Sequence, residues 1–396
     1  MISVNLISTI YNAASIQRWN DYPRMVELTE LDKQAHKFII AYFLASYEDN
    51  ISLVNMIEAG IFEFLRRVIV TDIRPDVYRR VIAEKKNEIN EWVLQKIEPM
   101  VNKEFFEKIS VFFKDEKIHE NERKLLAAAH YLATRYEFNI VYQSGKFLSD
   151  IENLKDSIDS EISDFLQYKG VVYTALATDI ERIIDLCGRL RFQIRWSQTP
   201  RLPKTSVLGH QLIVAIFSYF FSVEVKACQS RLKNNFFCAL FHDLAEVLTR
   251  DIISPVKSSV DGLNHLIANY EIELITKKIL PLVPSNIREH FSYILGLINE
   301  GDHYRKDEFM NRFKKEHFIC FAEDINLYNE DRYEPIDGRA LKACDHLAAF
   351  CEAALSISYG IKSRELENGL RVKNSYTEPI NGIDFGKLMR EIEQQI

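Results

Sequence analysis

Two distant parts of this sequence resemble each other, and this similarity constrains the fold more than any other feature. Three pairs of segments match in the same order along the chain: 18–24 with 195–201, 60–75 with 239–254, and 126–130 with 342–346. Ordered self-similarity of this kind is the sequence signature of a repeated structural unit. The sequence therefore predicts two copies of one domain, at about 1–170 and 175–396.

The composition predicts that both copies are helical. Only 13 glycines and 10 prolines occur in 396 residues, and alternating β-branched residues are scarce. Hydrophobic residues make up 47% of the chain, which excludes general disorder. The formal net charge of -7 argues against binding to a nucleic-acid polymer, which needs a basic face. It leaves room for a small anionic substrate that is bound by a local group of arginines.

The termini and the cysteines indicate where the protein works. No basic segment or cleavage site marks a signal peptide at the N-terminus, and the longest nearly uncharged apolar stretch, 212–223, is too short to span a bilayer. The six cysteines lack CxxC spacing and lie in apolar runs, so we interpret them as free thiols in a reducing compartment. We expect a soluble, cytoplasmic protein with no membrane partner.

The second copy carries side chains that could bind a metal ion. His242 and Asp243 are adjacent, and Glu246 follows within about one helical turn. Neighbouring residues on a helix point about 100° apart, so both can reach one cation only from a helix edge that faces a cavity. Two ligands do not complete a coordination sphere. His210 on an earlier apolar helix and Asp345 on a later one are the candidates for the remaining ligands.

The helices that would carry these residues can be placed approximately. Thr205 or Ser206 can cap the helix that bears His210, and Asn234 or Asn235 can cap the helix that bears His242. A further helix is predicted at about 339–359, where apolar residues recur at spacings of three and four and Asp345 lies on the flank of the buried stripe. A buried aspartate is costly unless it is paired or bound to a metal.

The first copy lacks most of the candidate ligands. Glu63, Phe64 and Ala129 occupy the positions of His242, Asp243 and Asp345, and His36 is the single ligand type retained, opposite His210. One imidazole does not hold a divalent ion. We therefore predict that the first copy is a folded, metal-free relic with a structural or regulatory role.

Two imidazoles and two carboxylates suit one divalent ion such as Mn, Co, Fe, Zn or Mg. Such an ion lowers the pKa of water and polarises a phosphoryl oxygen, as the hydrolysis of a phosphate ester requires. Glu246 would then transfer a proton, Arg195 would neutralise phosphate charge, and Trp196 could pack against a sugar or base. The second copy also contains 37 additional residues, mostly within 301–338, which form either a lid or an interaction surface.

At this set of residues, His210, His242-Asp243 and Asp345, the sequence resembles the HD superfamily of metal-dependent phosphohydrolases. The longer match, from Arg195-Trp196 through to the Pro-Val-Lys that ends at Lys257, is similar to the bacterial 5′-deoxynucleotidase branch. The resemblance implies an all-α fold of two tandem HD-type domains, the first degenerate. It also implies a metalloenzyme that cleaves deoxynucleoside 5′-monophosphates to nucleoside and phosphate.

The resemblance further implies a role for each matching residue. The metal ligands are His210, His242, Asp243 and Asp345, the general acid or base is Glu246, and the substrate contacts are Arg195, Trp196, Asp251 and Lys257. Because members of this family pair as dimers, the two copies could pack as an intramolecular pseudo-dimer.

Two other functions stay open from the sequence. Gly209 stands where the family usually has an acidic residue before its first metal ligand. Together with the inactive first copy, this keeps open a nucleotide-sensing or scaffold protein that binds without turnover. The other alternative is an HD phosphodiesterase or triphosphohydrolase that acts on a different nucleotide.

Overall fold

The chain forms two compact helical units, Met1–Leu176 and Ala177–Ile396. The computed structural model describes residues 2–176, 178–250, 260, 262–299, 301, 304–316 and 318–396, with the backbone alone at 75, 76 and 79. The predicted all-α fold is confirmed, because the described secondary structure is helical apart from two short antiparallel hairpins.

The first unit is built around a buried helix pair, α2 and α6, which the other helices of the unit surround. Its helices are α1 (Val4–Asn12), α2 (Glu30–Ala45), α3 (Leu53–Val70), α4 (Pro75–Ile97), α5 (Lys103–Lys114), α6 (Glu120–Gly145), α7 (Ile151–Ser160) and α8 (Lys169–Ala175). The residues of α2 from Glu30 to Leu44 are all buried, charged ones included. Buried charges require partners, so this helix carries most of the polar interior of the unit.

The second unit has a corresponding core of α10, α11 and α15. Its helices are α9 (Asp179–Gly188), α10 (Val207–Glu224), α11 (Gln229–Phe241), α12 (Glu246–Thr249), α13 (Leu263–Leu274), α14 (Arg288–Ile294), α15 (Gly338–Ser358), α16 (Arg364–Leu370) and α17 (Phe385–Gln395). Helix α10 is long and apolar enough to cross a membrane, but 83% of it is buried inside the fold. Its hydrophobicity is therefore that of a core helix.

The entry into the central helix has the same local structure in both units. Backbone bridges join Gln17 to Thr29 and Ile194 to Ser206. Thr29 and Ser206 then cap α2 and α10, because each hydroxyl accepts a hydrogen bond from the backbone amide three residues on. For the second unit, this cap is one of the two that the sequence predicts.

These caps fix the register in which α2 and α10 correspond. His210 is the fourth residue after its cap, and in α2 the fourth residue is Lys33. His36 is the seventh residue after its cap and corresponds to Ile213. The predicted pairing of His36 with His210 is therefore wrong by about one helical turn, because it matched residue types and not helix starts.

Helix α11 begins earlier than the sequence predicts. Its cap is Cys228, whereas Asn234 and Asn235 lie inside the helix and are buried. The Asn235 side chain donates to Asp337 Oδ2 at 2.7 Å, and its oxygen accepts from the Asp337 amide at 2.9 Å. The Asn235 side chain, which the sequence pattern predicted as a helix cap, thus binds Asp337, a residue far away in the sequence.

The additional residues of the second unit are folded onto it by buried arginines. They contain β2 (Tyr304–Lys306), which pairs with β1 (Leu297–Asn299), and the hairpin of β3 (Arg312–Lys315) with β4 (Phe318–Phe321). Arg231 of α11 binds both carboxylate oxygens of Asp337 at 2.7 Å. The fully buried Arg312 donates to the carbonyl oxygens of Tyr293 and Ile294. This segment is therefore part of the domain interior as well as its surface.

Candidate metal centre

Four side chains from three helical regions converge in the second unit. His210 Nε2 lies 2.9 Å from Asp345 Oδ1, and His242 Nε2 lies 3.1 Å from Asp243 Oδ2 and 3.9 Å from Asp345 Oδ1. One possible ligand atom from each of His210, His242 and Asp243 lies within 4.8 Å of the others. The structure thus brings together all four residues that the sequence singled out as metal ligands.

The end of helix α11 lets two adjacent residues reach the same point. The helix stops at Phe241, with His242 as its C-cap residue, and a turn carries Asp243. His242 still has right-handed helical backbone angles, and the pair lies where the helix ends, with no further turn of α11 beyond it. Asp345 comes from the middle of α15, and His210 from the first turns of α10. The expectation that His242 and Asp243 lie on a continuous helix edge is corrected to a helix end.

Both histidines are oriented through their other ring nitrogen. His242 Nδ1 lies 2.7 Å from the carbonyl oxygen of Ala239, which accepts a hydrogen bond from a protonated Nδ1. His210 Nδ1 faces Glu352 Oε1 at 3.5 Å. Acceptors at Nδ1 favour the tautomer whose Nε2 carries the lone pair, as in many metal-binding histidines. The two Nε2 atoms face the carboxylates of the cluster.

Glu352 is a residue of this site that sequence reasoning missed. It is fully buried and accepts hydrogen bonds from Trp196 Nε1 at 2.8 Å and Thr205 Oγ1 at 2.5 Å. Although burial opposes its charge, Arg201 and Arg195 hold the pKa of Glu352 well below its usual range. A charged acceptor inside the core thus links the Arg-Trp segment to the helix that carries Asp345.

A weak signal for Glu352 was present in the sequence. It lies seven residues after Asp345, or two helical turns, and so on the same face of α15. It is also an acidic residue within the run Phe350-Cys351-Glu352-Ala353, where a solvent-exposed position is not expected. Buried acids in apolar runs mark paired or functional positions.

Arg195 spans from this buried glutamate to the metal cluster. Its Nε lies 3.5 Å from Glu352 Oε2, and its Nη1 lies 3.6 Å from Asp243 Oδ2. Burial opposes the charge, but Glu352, Asp243 and Asp345 together raise the pKa of Arg195 above its ordinary value. The guanidinium therefore stays charged next to the cluster, where it can bind phosphate oxygens.

The electrostatics of the cluster match a divalent cation. Burial lowers the pKa of His242, but attraction to Asp243 and Asp345 outweighs it and raises this pKa to about 10. Conversely, His242 and Arg195 hold the pKa of Asp243 well below its usual range. The buried His242 Nε2 makes no well-aligned hydrogen bond with any residue that the structure describes. Two carboxylates and two imidazole nitrogens that face each other form a donor set suited to Mn, Co, Fe, Zn or Mg.

The remaining predicted site residues are placed as follows. Glu246 begins α12, just after the turn that carries Asp243, and is 9% exposed. The indole of Trp196 lies against α16, since a Cβ added at Gly369 would be 2.9 Å from its Cη2 atom. Its N–H is used by Glu352, so a substrate contact is possible only through the ring. Asp251 and Lys257 lie outside the described residues.

Comparison with known proteins identifies the domain that carries this cluster. Residues 187–373 match the family model described as an HD domain. No curated protein matches the chain. The matched segment contains all four candidate ligands, together with Arg195, Glu246 and Glu352. HD domains are in general metal-dependent phosphohydrolases.

Proposed function

Because residues 187–373 match the HD-domain family model, we propose that this protein is a metal-dependent phosphohydrolase that cleaves nucleoside or deoxynucleoside 5′-monophosphates to nucleoside and phosphate. The observation that carries the proposal is the convergence of His210, His242, Asp243 and Asp345, with the Arg195 guanidinium beside them.

A divalent cation held by these four side chains would supply Lewis acidity for the attack of water on phosphorus. The carbonyl oxygen of Ala239 orients the His242 imidazole through Nδ1, and the Glu352 carboxylate faces Nδ1 of His210 at 3.5 Å. Arg195 offsets the negative charge that develops on the phosphoryl oxygens.

Glu246 is proposed to act as the general acid or base that transfers the proton of the leaving 5′ oxygen. It lies at the start of α12, three residues after Asp243, and its side chain is nearly buried. A carboxyl group next to the bound phosphate can act as the general acid or base in the departure of the leaving oxygen. Burial lowers the pKa of Arg195, and the Glu246 carboxylate is one of the four acidic groups that outweigh this effect.

We also infer that the first unit is a degenerate copy of the HD domain. What supports this is the shared entry into the central helix, with bridges at Gln17 and Ile194 and caps at Thr29 and Ser206. The unusual left-handed backbone of Trp19, with a φ of 55°, also recurs at Trp196, with a φ of 57°.

The proposed activity is tested by phosphate release from a panel of nucleoside monophosphates in the presence of each candidate metal. Asp243→Asn should reduce the release by about a thousandfold, because a ligand and its charge are lost. Asp185→Asn is the matched control, since Asp185 is an exposed aspartate of α9 in the same unit. Retained hydrolysis in Asp243→Asn with normal metal content would overturn the proposal. Bound nucleotide without phosphate release would favour a sensing protein.

A further inference from the structure

A cleft of about 740 Å³ opens in the second unit next to the metal cluster. Residues of α13, the additional segment, α15 and the 375–380 segment line it: Ala268, Glu271, Lys306, Asp307, Glu308, Phe309, Met310, Arg339, Lys342, Ser375, Tyr376, Thr377, Glu378 and Ile380. Its volume falls within the range of pockets that bind small molecules. None of the residues that the sequence predicted for the site is among them.

Two side chains connect this cleft to the metal cluster. Tyr376 Oη forms a 2.8 Å hydrogen bond with His346 Nδ1, and His346 directly follows Asp345. On the other wall, burial opposes the charge of Lys306 of β2, but Glu308, Glu271 and Asp243 together raise its pKa above the ordinary value. A phosphate ester at the metal could therefore extend its leaving group into this cleft.

Helix α15 places two cations along the cleft at regular distances from the metal ligand. Arg339, Lys342 and Asp345 are three residues apart, so each step is about 4.5 Å along the helix axis, with a rotation of about 60°. The two basic side chains therefore begin about 4.5 and 9 Å along the axis from Asp345.

These two cations are available to a ligand. Both are exposed, and neither forms an ion pair within the part of the chain that the structure describes. The third cation of the cleft differs, because Lys306 Nζ already pairs with Glu308 at 2.7 Å. Glu271 and Glu378 line the same cleft without a direct ion pair to Arg339 or Lys342 among the described residues, so a second phosphate could still bind both cations.

Aromatic rings complete the cleft. Lys342 Nζ lies 5.8 Å from the centre of the Phe309 ring, and Tyr376 is also among the residues that line the cavity. Ring faces next to cations are a combination that can take a base and a phosphate at the same time.

We propose that the cleft binds the part of the substrate beyond the scissile phosphate and selects nucleotides with a second phosphate group. This inference rests on the proposed hydrolysis and names its substrate class. The additional segment is then a wall of the substrate site, since it contributes Lys306 and Phe309. The sequence left two roles open for the additional segment, a lid or an interaction surface. A wall of the substrate site is closer to a lid than to a surface for a protein partner.

The test is calorimetric binding to the full-length protein in the presence of a chelator, so that no turnover occurs. The ligands are deoxyadenosine 5′-monophosphate, its 5′-triphosphate and its 3′,5′-bisphosphate. The double variant Arg339→Ala with Lys342→Ala should lower the affinity for the triphosphate, the bisphosphate or both by about tenfold or more. Monophosphate binding should change by less than about twofold. The ligand that loses more shows whether the second phosphate is on the leaving nucleoside or on an extended phosphate chain.

The matched control is the double variant Lys362→Ala with Arg364→Ala, which removes the same two charges from an exposed segment of the same unit. It should leave all three affinities unchanged. Equal weakening of all three ligands by the Arg339 and Lys342 variant, or no weakening of any, would overturn the inference. Because binding is measured without metal, a failure of the proposed hydrolysis leaves this result interpretable.

Discussion

The buried polar clusters of the two units follow one plan with different charges. In the second unit, His210 Nε2 lies 2.9 Å from Asp345 Oδ1. In the first unit, Lys33 lies at the position corresponding to His210, and its Nζ is 2.9 Å from His130 Nε2. The side-chain nitrogen of Lys33, whose pKa is held well below its ordinary value by burial, thus occupies the place where the second unit is proposed to bind a cation from solution.

A shared glutamate fixes the correspondence of the last helix. Glu137 of α6 accepts from Trp19 Nε1 at 3.0 Å, as Glu352 of α15 accepts from Trp196. The residue seven positions earlier is His130 in α6 and Asp345 in α15. His130, and not Ala129 as the sequence comparison indicated, therefore stands opposite Asp345. The sequence comparison pairs Ala129-His130 with Asp345-His346, because both segments contain a histidine at the second position.

The arginine of each unit is used differently. Arg18 pairs with Glu137 at 2.8 Å and with Glu30 at 2.9 Å, and Glu30 also binds Arg67 at 3.2 Å. The position that corresponds to Glu30 in the second unit is Val207. Arg18 is therefore neutralised within its own unit, whereas Arg195 is left to face the metal cluster. The unit without the candidate ligands is thus the one whose arginine is paired internally.

The largest difference in phosphate release should come from substituting, one at a time, the two corresponding residues of the central helices, His210 and Lys33. His210→Ala is expected to reduce phosphate release by about a thousandfold, because a ligand is lost. Lys33→Met should change it by less than about twofold, because no metal is held there. Steady-state phosphate release and circular dichroism of both variants provide the measurement. A strong loss in Lys33→Met with its helix content intact would break the comparison.

Metal affinity should depend on pH through the second unit alone. The pKa of His242 is raised to about 10, so the imidazole is protonated at neutral pH when no metal is bound, and the cation must displace this proton. Raising the pH from 6 to 8 should therefore tighten metal binding by about a hundredfold, one power of ten per unit. Competition with a chelating dye measures this. An affinity that is flat or falls over this range would contradict the assignment.

The two buried glutamates should respond differently to the same substitution. Glu352→Gln removes the charge that faces His210 Nδ1 and should weaken metal binding by about tenfold. Glu137→Gln, its counterpart, should leave metal affinity unchanged and lower only the stability of the first unit. The same dye competition compares them. Equal effects on metal affinity would show that the glutamates act through general stability.

The smallest expected effect concerns the two tryptophans. Trp19→Phe and Trp196→Phe each remove one hydrogen bond to a buried glutamate and should destabilise their own unit by about 1 kcal/mol. Peptide-resolved hydrogen exchange measures the protection of each unit separately. A loss confined to one of the two variants would show that the shared contact is not equivalent.

Much of this site could be predicted because its ligands belong to residue types with a known chemistry and order. His210, His242, Asp243 and Asp345 are such residues, and the stripe of α15 already directed Asp345 inward. Glu352 was missed because a glutamate that orients a ligand has no sequence spacing of its own. Lys306 and Arg339 were missed because the cleft depends on how the additional segment folds back onto α15.

The errors in the fold have a common physical cause. Asn235 has the side chain of a helix cap, but the contact with Asp337 determines its position. His36 matches His210 in type, but the caps at Thr29 and Ser206 set the register. In each case a tertiary contact or a helix start outweighed a local residue preference, and neither is visible from one residue type.

The most direct test of the central claim is the metal content of the purified chain and of two matched variants, measured by elemental analysis after dialysis against each candidate ion. We predict one divalent ion per chain in the wild type, none in His242→Ala, and one in Glu63→Ala, which changes the corresponding position of the first unit. Two ions per chain, or an ion retained in His242→Ala and lost in Glu63→Ala, would contradict the account.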